Sequence, residues 1–312
     1  MFQNSESLDL SIIILNFNTK EVLLNCLRSV YDQTNGIDFE VIVVDNASSD
    51  GSAEAAKELF PQIALKVNDT NLGFSAGNNK GIQIARGKYV VLLNSDTLLT
   101  ENCFEKIVNY LDDHSEFHIC SPEVTDEANN ALPMRHWEDK PIDAVYRILG
   151  LYSFSRDAAK MTGEGPREVE TIGGQCFVVR RSVFEQIGFL DETYFLYNEE
   201  DDFCRLARKS GFKVCYFPET SLIHFFGKST HLPEIREKVI IETYRSDLTF
   251  YAKHYSLFWN IALRCLYKAT FILGVIKAFT KQMLGTNVEG PDGSAALKLK
   301  LFFLETPTFK KK

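Results

Sequence analysis

The chain has 312 residues, 45% hydrophobic and 24% charged, an ordinary globular composition that excludes disorder, collagen-like repeats and small disulfide scaffolds. Its 34 Lys and Arg against 42 Asp and Glu leave a net charge of −8, without the electrostatic footprint of a nucleic-acid binder, so no nucleic-acid partner is expected. Seven cysteines, none in a CxxC pair, argue against a zinc knuckle or a secreted disulfide framework and fit a reducing cytosol.

The opening MFQNSESLDL has no basic region and no apolar core, so no signal peptide is expected. The run Leu10 to Leu15 (LSIIIL) predicts a buried strand. Asn18 and Glu21 predict a helix cap and its capping-box partner, opening an amphipathic helix to about Tyr31. A second strand, Glu40 to Val44, ends at Asp45; the turn NASSDGS leads to a helix at Ala53 to Leu59. Ala64 to Val67 reads as a weaker third strand, followed by a helix at Asn78 to Ala85 and a strand at Tyr89 to Leu93 that runs into Asn94-Ser95-Asp96. Asn16, Asp45 and Asp96 thus stand where strands end, and in an open parallel sheet those ends form the ligand crevice.

From Asp126 to Arg167 the chain is polar and broken by Pro133, Pro141 and Pro166, an irregular or partly helical insertion expected over the cleft. Order returns at Gly173-Gly174, with a strand at Gln175 to Arg180 and a short helix at Ser182 to Ile187. The run Glu199-Glu200-Asp201-Asp202 opens a helix to about Ser210, where carboxylates complement the helix dipole, and Gly211 ends it. Pro233 to Tyr255 reads as a helix. Ser256 to Met283 is strongly apolar, but Arg264, Lys268, Lys277 and Lys281 punctuate it. A membrane span needs about 20 largely uncharged residues, so a spanning helix is a poor fit. A helix lying on an anionic membrane face, or packing on the preceding domain or a second subunit, both stand. The closing Lys310-Lys311-Lys312 adds membrane attraction or is a solvated end.

The Gly-rich segment Asn71 to Gly81 has its glycines at 73, 77 and 81, after the third strand. A dinucleotide fingerprint is GxGxxG directly after the first, so a Rossmann dehydrogenase drops out. No GxxxxGK[ST] is present for a P-loop.

The succession IIILNFN, VIVVDNASSDGS, NLGFSAGNN, YVVLLNSD, GGQCFVVRR, FLYNEEDDFCRLARKSG and IHFFGKS resembles family 2 glycosyltransferases of the GT-A fold. Within that group it most resembles the bacterial rhamnosyltransferase-like branch acting in cell-surface polysaccharide assembly. The resemblance covers roughly residues 9 to 230. It implies an α/β fold: a Rossmann-like, mostly parallel sheet flanked by helices, with a C-terminal helical extension. Residues 1–230 would form the catalytic domain, with 126–167 as an insertion, and 231–312 a helical region with possible membrane contact.

The resemblance also implies roles. Asp45 matches the Asp that accepts the N3–H of a uracil or thymine base; a carboxylate suits an imide donor, and Asp45 also suits capping of the turn NASSDGS. Asn16, Asn71, Gly73, Asn78 and Asn79 would help hold the nucleotide-sugar. Asn94-Ser95-Asp96 matches the family's DxD-like motif without its first carboxylate, leaving Asp96 to bind Mg2+ or Mn2+ on the donor diphosphate. His224, in the HxxGxS-like block, would be a second metal ligand, and Lys228 and Ser229 would lie near phosphate. FLYNEEDDFCRL aligns with FLYxEDxDLxxR, making Glu200 or Glu199 the general base and Asp202 the later acidic position. Mutual repulsion of the four carboxylates would raise some of their pKa values. Gly174, with Gly173, would allow close backbone approach beneath the sugars.

The implied activity is an inverting, metal-dependent hexosyl transfer from a dTDP- or UDP-sugar, L-rhamnose leading, to a glycan or polyprenyl-linked hydroxyl. The implied location is cytoplasmic, or peripheral on the inner face of the plasma membrane, and a homodimer is compatible. The alternatives are galactofuranose, glucose or galactose as the sugar, or a catalytically silent nucleotide-sugar binding scaffold.

Overall fold

The structure is a computed structural model that describes residues 8–134, 136–151, 165–225, 233–283 and 295–304. The sequence-predicted contacts of Lys228 and Ser229 and the Lys310–Lys312 tail lie outside these residues. The chain divides into two compact units. One is Met1–Glu138 with Met161–Phe195 and Glu199–Ser229; the other is Asp139–Lys160 with Leu196–Asn198 and Thr230–Lys312.

The first unit begins as the periodicity predicts: β1 (Leu10–Asn16), α1 (Lys20–Gln33), β2 (Phe39–Asp45), α2 (Ser52–Leu59), β3 (Ala64–Val67), α3 (Gly73–Ile82) and β4 (Tyr89–Asn94). It continues with β5 (Thr97–Leu98), α4 (Cys103–Asp113), β6 (Ile119–Thr125), β7 (Arg167–Val169), β8 (Cys176–Arg180), α6 (Arg181–Ile187), α7 (Glu199–Lys209) and β9 (Val214–His224); α5 (Pro141–Ile148) interrupts it from the second unit. These strands form one sheet in the order β3-β2-β1-β4-β8-β6-β9-β5, with β7 on β9. The sheet is parallel from β3 to β4 and mixed beyond, because β8 runs antiparallel to both β4 and β6.

Successive strand side chains point to opposite faces, and both faces are covered. Ile12 and Ile14 join one apolar cluster with Leu23, Leu27, Ala56, Phe104 and Leu111 of α1, α2 and α4. Ile13 joins the other with Ile82, Val183, Phe203 and Ala207 of α3, α6 and α7. That double coverage explains why the first strands read as unbroken β-branched runs rather than alternating ones.

Two helix starts differ from the sequence reading. Asn18 does not cap α1: it has a left-handed φ of 52°, and its Oδ1 accepts the Ser49 N–H at 2.8 Å. The Lys20 N–H, an orphan of the first turn, is accepted by Asp50 Oδ2 at 2.9 Å, so the cap arrives from the loop after β2. Helix α3 begins at Gly73 rather than Asn78. Its glycines let it lie close on the sheet: a Cβ on Gly77 would stand 2.5 Å from Leu15 Cδ1, and one on Gly81 2.5 Å from Ile13 Cγ2.

The second unit contains α5, α8 (Pro233–His254), α9 (Leu257–Met283) and α10 (Ala295–Phe303). Asp139, buried, accepts an Arg147 N–H at 2.7 Å, and the Asp139 carbonyl accepts the Tyr255 hydroxyl at 2.8 Å. Despite Arg264 and Lys268, α9 is by length and composition long and apolar enough over Leu257–Lys277 to cross a membrane. The sequence reading, which took those charges to make a span a poor fit, is thus stricter than length and composition require.

Gly81→Val tests the close α3–sheet contact. Overpacking against Ile13 outweighs the better helix propensity of Val over Gly and should lower unfolding free energy by about 2 kcal/mol in urea titration.

Candidate active site

Parallel strands that start level also end level. Register places Asn16 beside Asp45 across β1 and β2, and Leu15 beside Asn94 across β1 and β4. Three polar chain ends therefore line one rim of the sheet, and most of this polar matter is buried: Asn16 and Asp45 are each 1% exposed and Asp96 2%. Buried polar groups must be hydrogen-bonded, and here they satisfy one another. Asn16 Nδ2 donates to Asp45 Oδ1 (2.8 Å) and to the hydroxyls of Ser48 (3.0 Å) and Ser52 (2.8 Å). Its Oδ1 accepts the Thr19 hydroxyl at 2.7 Å, and Thr19 Oγ1 lies 3.1 Å from Ser95 Oγ. Asp45 Oδ2 accepts the Ser48 N–H at 2.8 Å, the turn-capping role that the sequence allows for it.

The Gly-rich segment is tied to the same rim. Asn46 Nδ2 donates to the Gly73 carbonyl at 3.0 Å and to Asn71 Oδ1 at 3.3 Å, and Asn71 Oδ1 also accepts the Gly73 N–H at 3.0 Å. Gly73 has φ 82°, and a Cβ there would stand 2.4 Å from the Phe195 carbonyl oxygen, so the backbone needs glycine twice over. Asn78 and Asn79 turn inward. Asn78 donates to the Phe74 carbonyl of its own helix (3.0 Å). Asn79 donates to the Leu190 carbonyl (2.9 Å) and accepts the Leu190 N–H (3.1 Å), pinning the 190s loop to α3. Both asparagine amides are engaged within the protein.

Asp96 sits in the turn between β4 and β5. β9 returns alongside, pairing His224 with Thr97, and the Phe225 N–H donates to the Asp96 carbonyl at 2.8 Å. This brings His224 Nε2 to 3.1 Å from Asp96 Oδ1, with both side chains buried. Residues 128 apart in sequence thus form one oxygen–nitrogen pair. No group of three or more His, Cys, Asp or Glu able to hold a metal is found among the described residues.

The four acids that open α7 have four different environments. Glu199, Asp201 and Asp202 are 3%, 4% and 1% exposed. Asp201 accepts the Thr171 hydroxyl at 2.7 Å, and Asp202 lies 3.4 Å from the Tyr194 hydroxyl that points at it. Glu200 alone of the four is partly exposed, and its Oε1 accepts the Gly174 N–H at 3.3 Å. A Cβ on Gly174 would stand 3.3 Å from Phe74 Cζ and 3.4 Å from Glu200 Oε1, so this glycine keeps the floor beside Glu200 open. Burial pushes the Glu199 carboxyl well above the usual glutamate range, and the neighbouring Glu200 charge adds to it; desolvation, rather than mutual repulsion, is the larger cause.

Two backbone links close the arrangement. Asn94 N–H donates to the Gln175 carbonyl at 3.1 Å, joining the end of β4 to the segment that carries Gly174 and hence Glu200. Thr19 joins Asn16 to Ser95, next to Asp96. Asn16, Asp45, Asn71, Gly73, Asn94, Ser95, Asp96, Gly174 and Glu200 therefore belong to one connected polar rim, with His224 attached through Asp96. Thr19 and Asn46 are members that the sequence reading does not single out, whereas Gln175 belongs to the Gly173-Gly174-Gln175 segment that it does. Asn46 lies inside the VIVVDNASSDGS block, which was a usable signal; Thr19 acts on a residue 76 positions away and gives no local one.

Residues 11–188 match the profile of Glycosyl transferase family 2. The low-salt glycan biosynthesis hexosyltransferase Agl10 of Haloferax volcanii is 28% identical over 220 residues, 69% of this chain and 67% of that protein. The N-acetylglucosaminyl-diphospho-decaprenol L-rhamnosyltransferase of Mycobacterium tuberculosis is 24% identical over 252 residues, 75% of this chain and 81% of that one. In fold, the chain is similar to GalNAc-T7, crystallised with UDP, GalNAc and Mn2+, at a TM-score of 0.54 and 15% identity over 80% of this chain; it spans 51% of that chain's length. The fold is that of the GT-A glycosyltransferases.

Two measurements test the rim itself. Asn16→Ala strips partners from Asp45, Thr19, Ser48 and Ser52 at once, and should cost about 2–4 kcal/mol in urea unfolding. Glu199, with its folded pKa raised, binds its proton more tightly in the folded state, so the stability it contributes is present below about pH 4.3 and is lost as pH rises through the raised value. Glu199→Gln should flatten that decline in a stability–pH profile recorded upward from pH 4.

Proposed function

Because the chain belongs to glycosyl transferase family 2, we propose that it moves one hexose, with inversion, from a pyrimidine nucleotide-diphosphate donor to a hydroxyl of a glycan or polyprenyl-linked acceptor. dTDP-L-rhamnose is our leading donor, supported by the ordered sequence blocks and by the likeness to a rhamnosyltransferase. The activity is assigned to residues 1–230, in the cytoplasm or peripherally on the inner face of the plasma membrane.

One observation carries the reading. In a run of four acids, the three buried ones are held within the protein, while Glu200 stays accessible beside a glycine floor. A general base must reach the acceptor hydroxyl and be ionised when it does. Glu200 meets the first condition. Glu199 fails the second, because burial favours its protonated form. Glu200 takes the acceptor proton as the anomeric carbon gains oxocarbenium character, and the Gly174 N–H at 3.3 Å orients its carboxylate. Asp202 acts from behind, through Tyr194.

Asp45 accepts the imide N–H of the base. Two of its lone-pair sites are occupied by Asn16 and Ser48, and an ionised carboxylate has about four. Asn71 and Gly73 shape the backbone over the donor. Asn78 and Asn79, turned inward, act by holding α3 and the 190s loop rather than by touching sugar.

The donor chemistry at Asp96 and His224 fits a divalent cation: a carboxylate oxygen and an imidazole nitrogen face each other at 3.1 Å, and such sets suit first-row ions such as Mn2+. Mg2+ or Mn2+ there would offset the negative charge that builds on the departing diphosphate. With two protein ligands, the remaining positions of the ion fall to diphosphate oxygens and water, so nucleotide and ion should bind cooperatively.

Asn94, standing where the family's motif has a carboxylate, favours a second reading: a nucleotide-sugar binding scaffold without turnover. The two part in one experiment. Purified protein is incubated with a panel of nucleotide-sugars and polyprenyl-linked acceptors, with and without Mn2+, and products are read by mass spectrometry. Glu200→Gln should lower kcat by about 10²–10⁴-fold while calorimetric donor affinity holds. Asp96→Ala should lose both turnover and the Mn2+ dependence of nucleotide binding. Donor binding with no product from any acceptor would favour the scaffold, and wild-type turnover in both variants would end the site assignment.

A further inference from the structure

Helix α9 has two faces of opposite character. On one, Asn260 and Leu263 are buried, Tyr267 donates to Asp247 of α8 at 2.6 Å, and the rings of Tyr267 and Phe271 meet Tyr244 edge-on at 5.0 and 5.3 Å. Leu297 and Leu301 of α10 are buried too, and α10 packs on α9. On the other face Leu257, Phe258, Ile261, Leu273, Ile276 and Phe279 are between 53% and 70% exposed. At about 3.6 residues per turn they fall in one continuous band, with the exposed Cys265 near its middle and the exposed Lys268 and Lys277 along its two edges. An apolar band of this length on a water-facing helix marks an interaction surface.

Charge identifies the partner. Residues 256–312 carry nine Lys or Arg and three Asp or Glu, a net +6 within a chain of net −8, and α9 and α10 themselves contain no acid at all. Cations flanking an apolar helical band complement an anionic lipid surface, where the band enters the acyl boundary and the ammonium groups reach the headgroups. A second copy of the chain fits worse, because an isologous contact would bring Lys268 and Lys277 of one copy against those of the other. The neighbouring helix sets the orientation. α8 runs against α9 carrying Asp247 and the Glu242–Arg245 ion pair, and a crossing α9 would draw these charges into hydrocarbon.

We propose that the outer face of α9 docks in the plane of an anionic bilayer, holding the protein at the membrane surface without spanning it. The inference is independent of the proposed chemistry, since its test needs vesicles and no turnover.

Six of the seven cysteines are buried and Cys265 is exposed, so an environment-sensitive dye can be attached there selectively in the full chain. With vesicles containing about 30% phosphatidylglycerol, sedimentation should give at least about tenfold tighter binding than with phosphatidylcholine alone at about 0.1 M salt. The dye should shift to the blue and be quenched more by lipids labelled near the headgroup than near the chain end. The Leu273→Asp/Ile276→Asp double variant changes only exposed positions. It should keep wild-type circular dichroism and lose about tenfold or more in vesicle affinity. Stronger quenching from the chain end would mean a spanning helix and overturn the proposal. So would equal binding to neutral vesicles, no binding to either, or a concentration-dependent dimer that the double variant abolishes.

Discussion

The hydrogen bond from Asn16 to Asp45 is the contact on which the rim depends. Two adjacent parallel strands end level with each other, and each ends in a polar residue buried beneath the chain that leads into α1 and α2. Neither residue would be tolerable there alone, since an unpartnered buried carboxylate or amide costs several kcal/mol (about 1–3 for the neutral group, more for the charge). Together, with Ser48, Ser52 and Thr19 filling the remaining sites, they are satisfied. Asn16 can serve as hub because an amide both donates and accepts: it gives protons toward the β2 loop and takes one from the start of α1. An aspartate in its place would set two carboxylates at one strand end.

The acidic run at α7 makes the complementary point about environment. Four consecutive carboxylates with one sequence signature have distinct fates because a helix start turns about 100° per residue, sending each in a different direction. One meets a threonine, one a tyrosine, one is buried with a raised pKa, and one reaches the glycine floor. The residues just before the helix help to set these directions: Tyr197 and Asn198 both adopt left-handed φ values, 68° and 66°, uncommon for residues with side chains. Which acid is accessible is therefore decided by backbone direction, and a motif alignment alone leaves Glu199 and Glu200 equivalent.

Much of the fold was legible, and the illegible part has identifiable causes. β1, β2 and β4 are buried on both faces and announce themselves as β-branched runs. β6 and β9 pair with each other but contain Pro122 and Pro218, and their register slips between Pro122 and Glu123, where Phe217 and Ser221 become successive partners; a strand broken in this way has neither an apolar run nor an alternation to read. The segment Leu99 to Thr125 held a readable helix, since Phe104, Ile107, Val108 and Leu111 of α4 lie on one face. The start of α3 was hidden because glycines at 73, 77 and 81 look like a loop by propensity, whereas here two of them serve helix–sheet contact. In the site, strand-end residues could be read from position alone. The pairing of Asp96 with His224 could come only from the family pattern, because nothing local to either residue indicates the other.

The asparagine at 94 is best understood through charge. The diphosphate of the proposed donor would bring negative charge to a rim that already holds Asp45, Asp96 and Glu200, and the chain as a whole is acidic. Another carboxylate beside Asp96 would raise the electrostatic cost of admitting that guest by an amount that is not small at short range, about 4 kcal/mol per pair at 4 Å for an effective dielectric constant of 20. A neutral amide at the same place keeps a hydrogen-bonding side chain and removes the repulsion. On the proposed reading the cost would move to the cation side, where the motif's first carboxylate is missing. If Asp96 and His224 hold the ion as proposed, Asn94 trades ion affinity in the resting protein for easier entry of the nucleotide. Ion and nucleotide then depend on each other, and the absence of the first motif carboxylate does not by itself make the site inert.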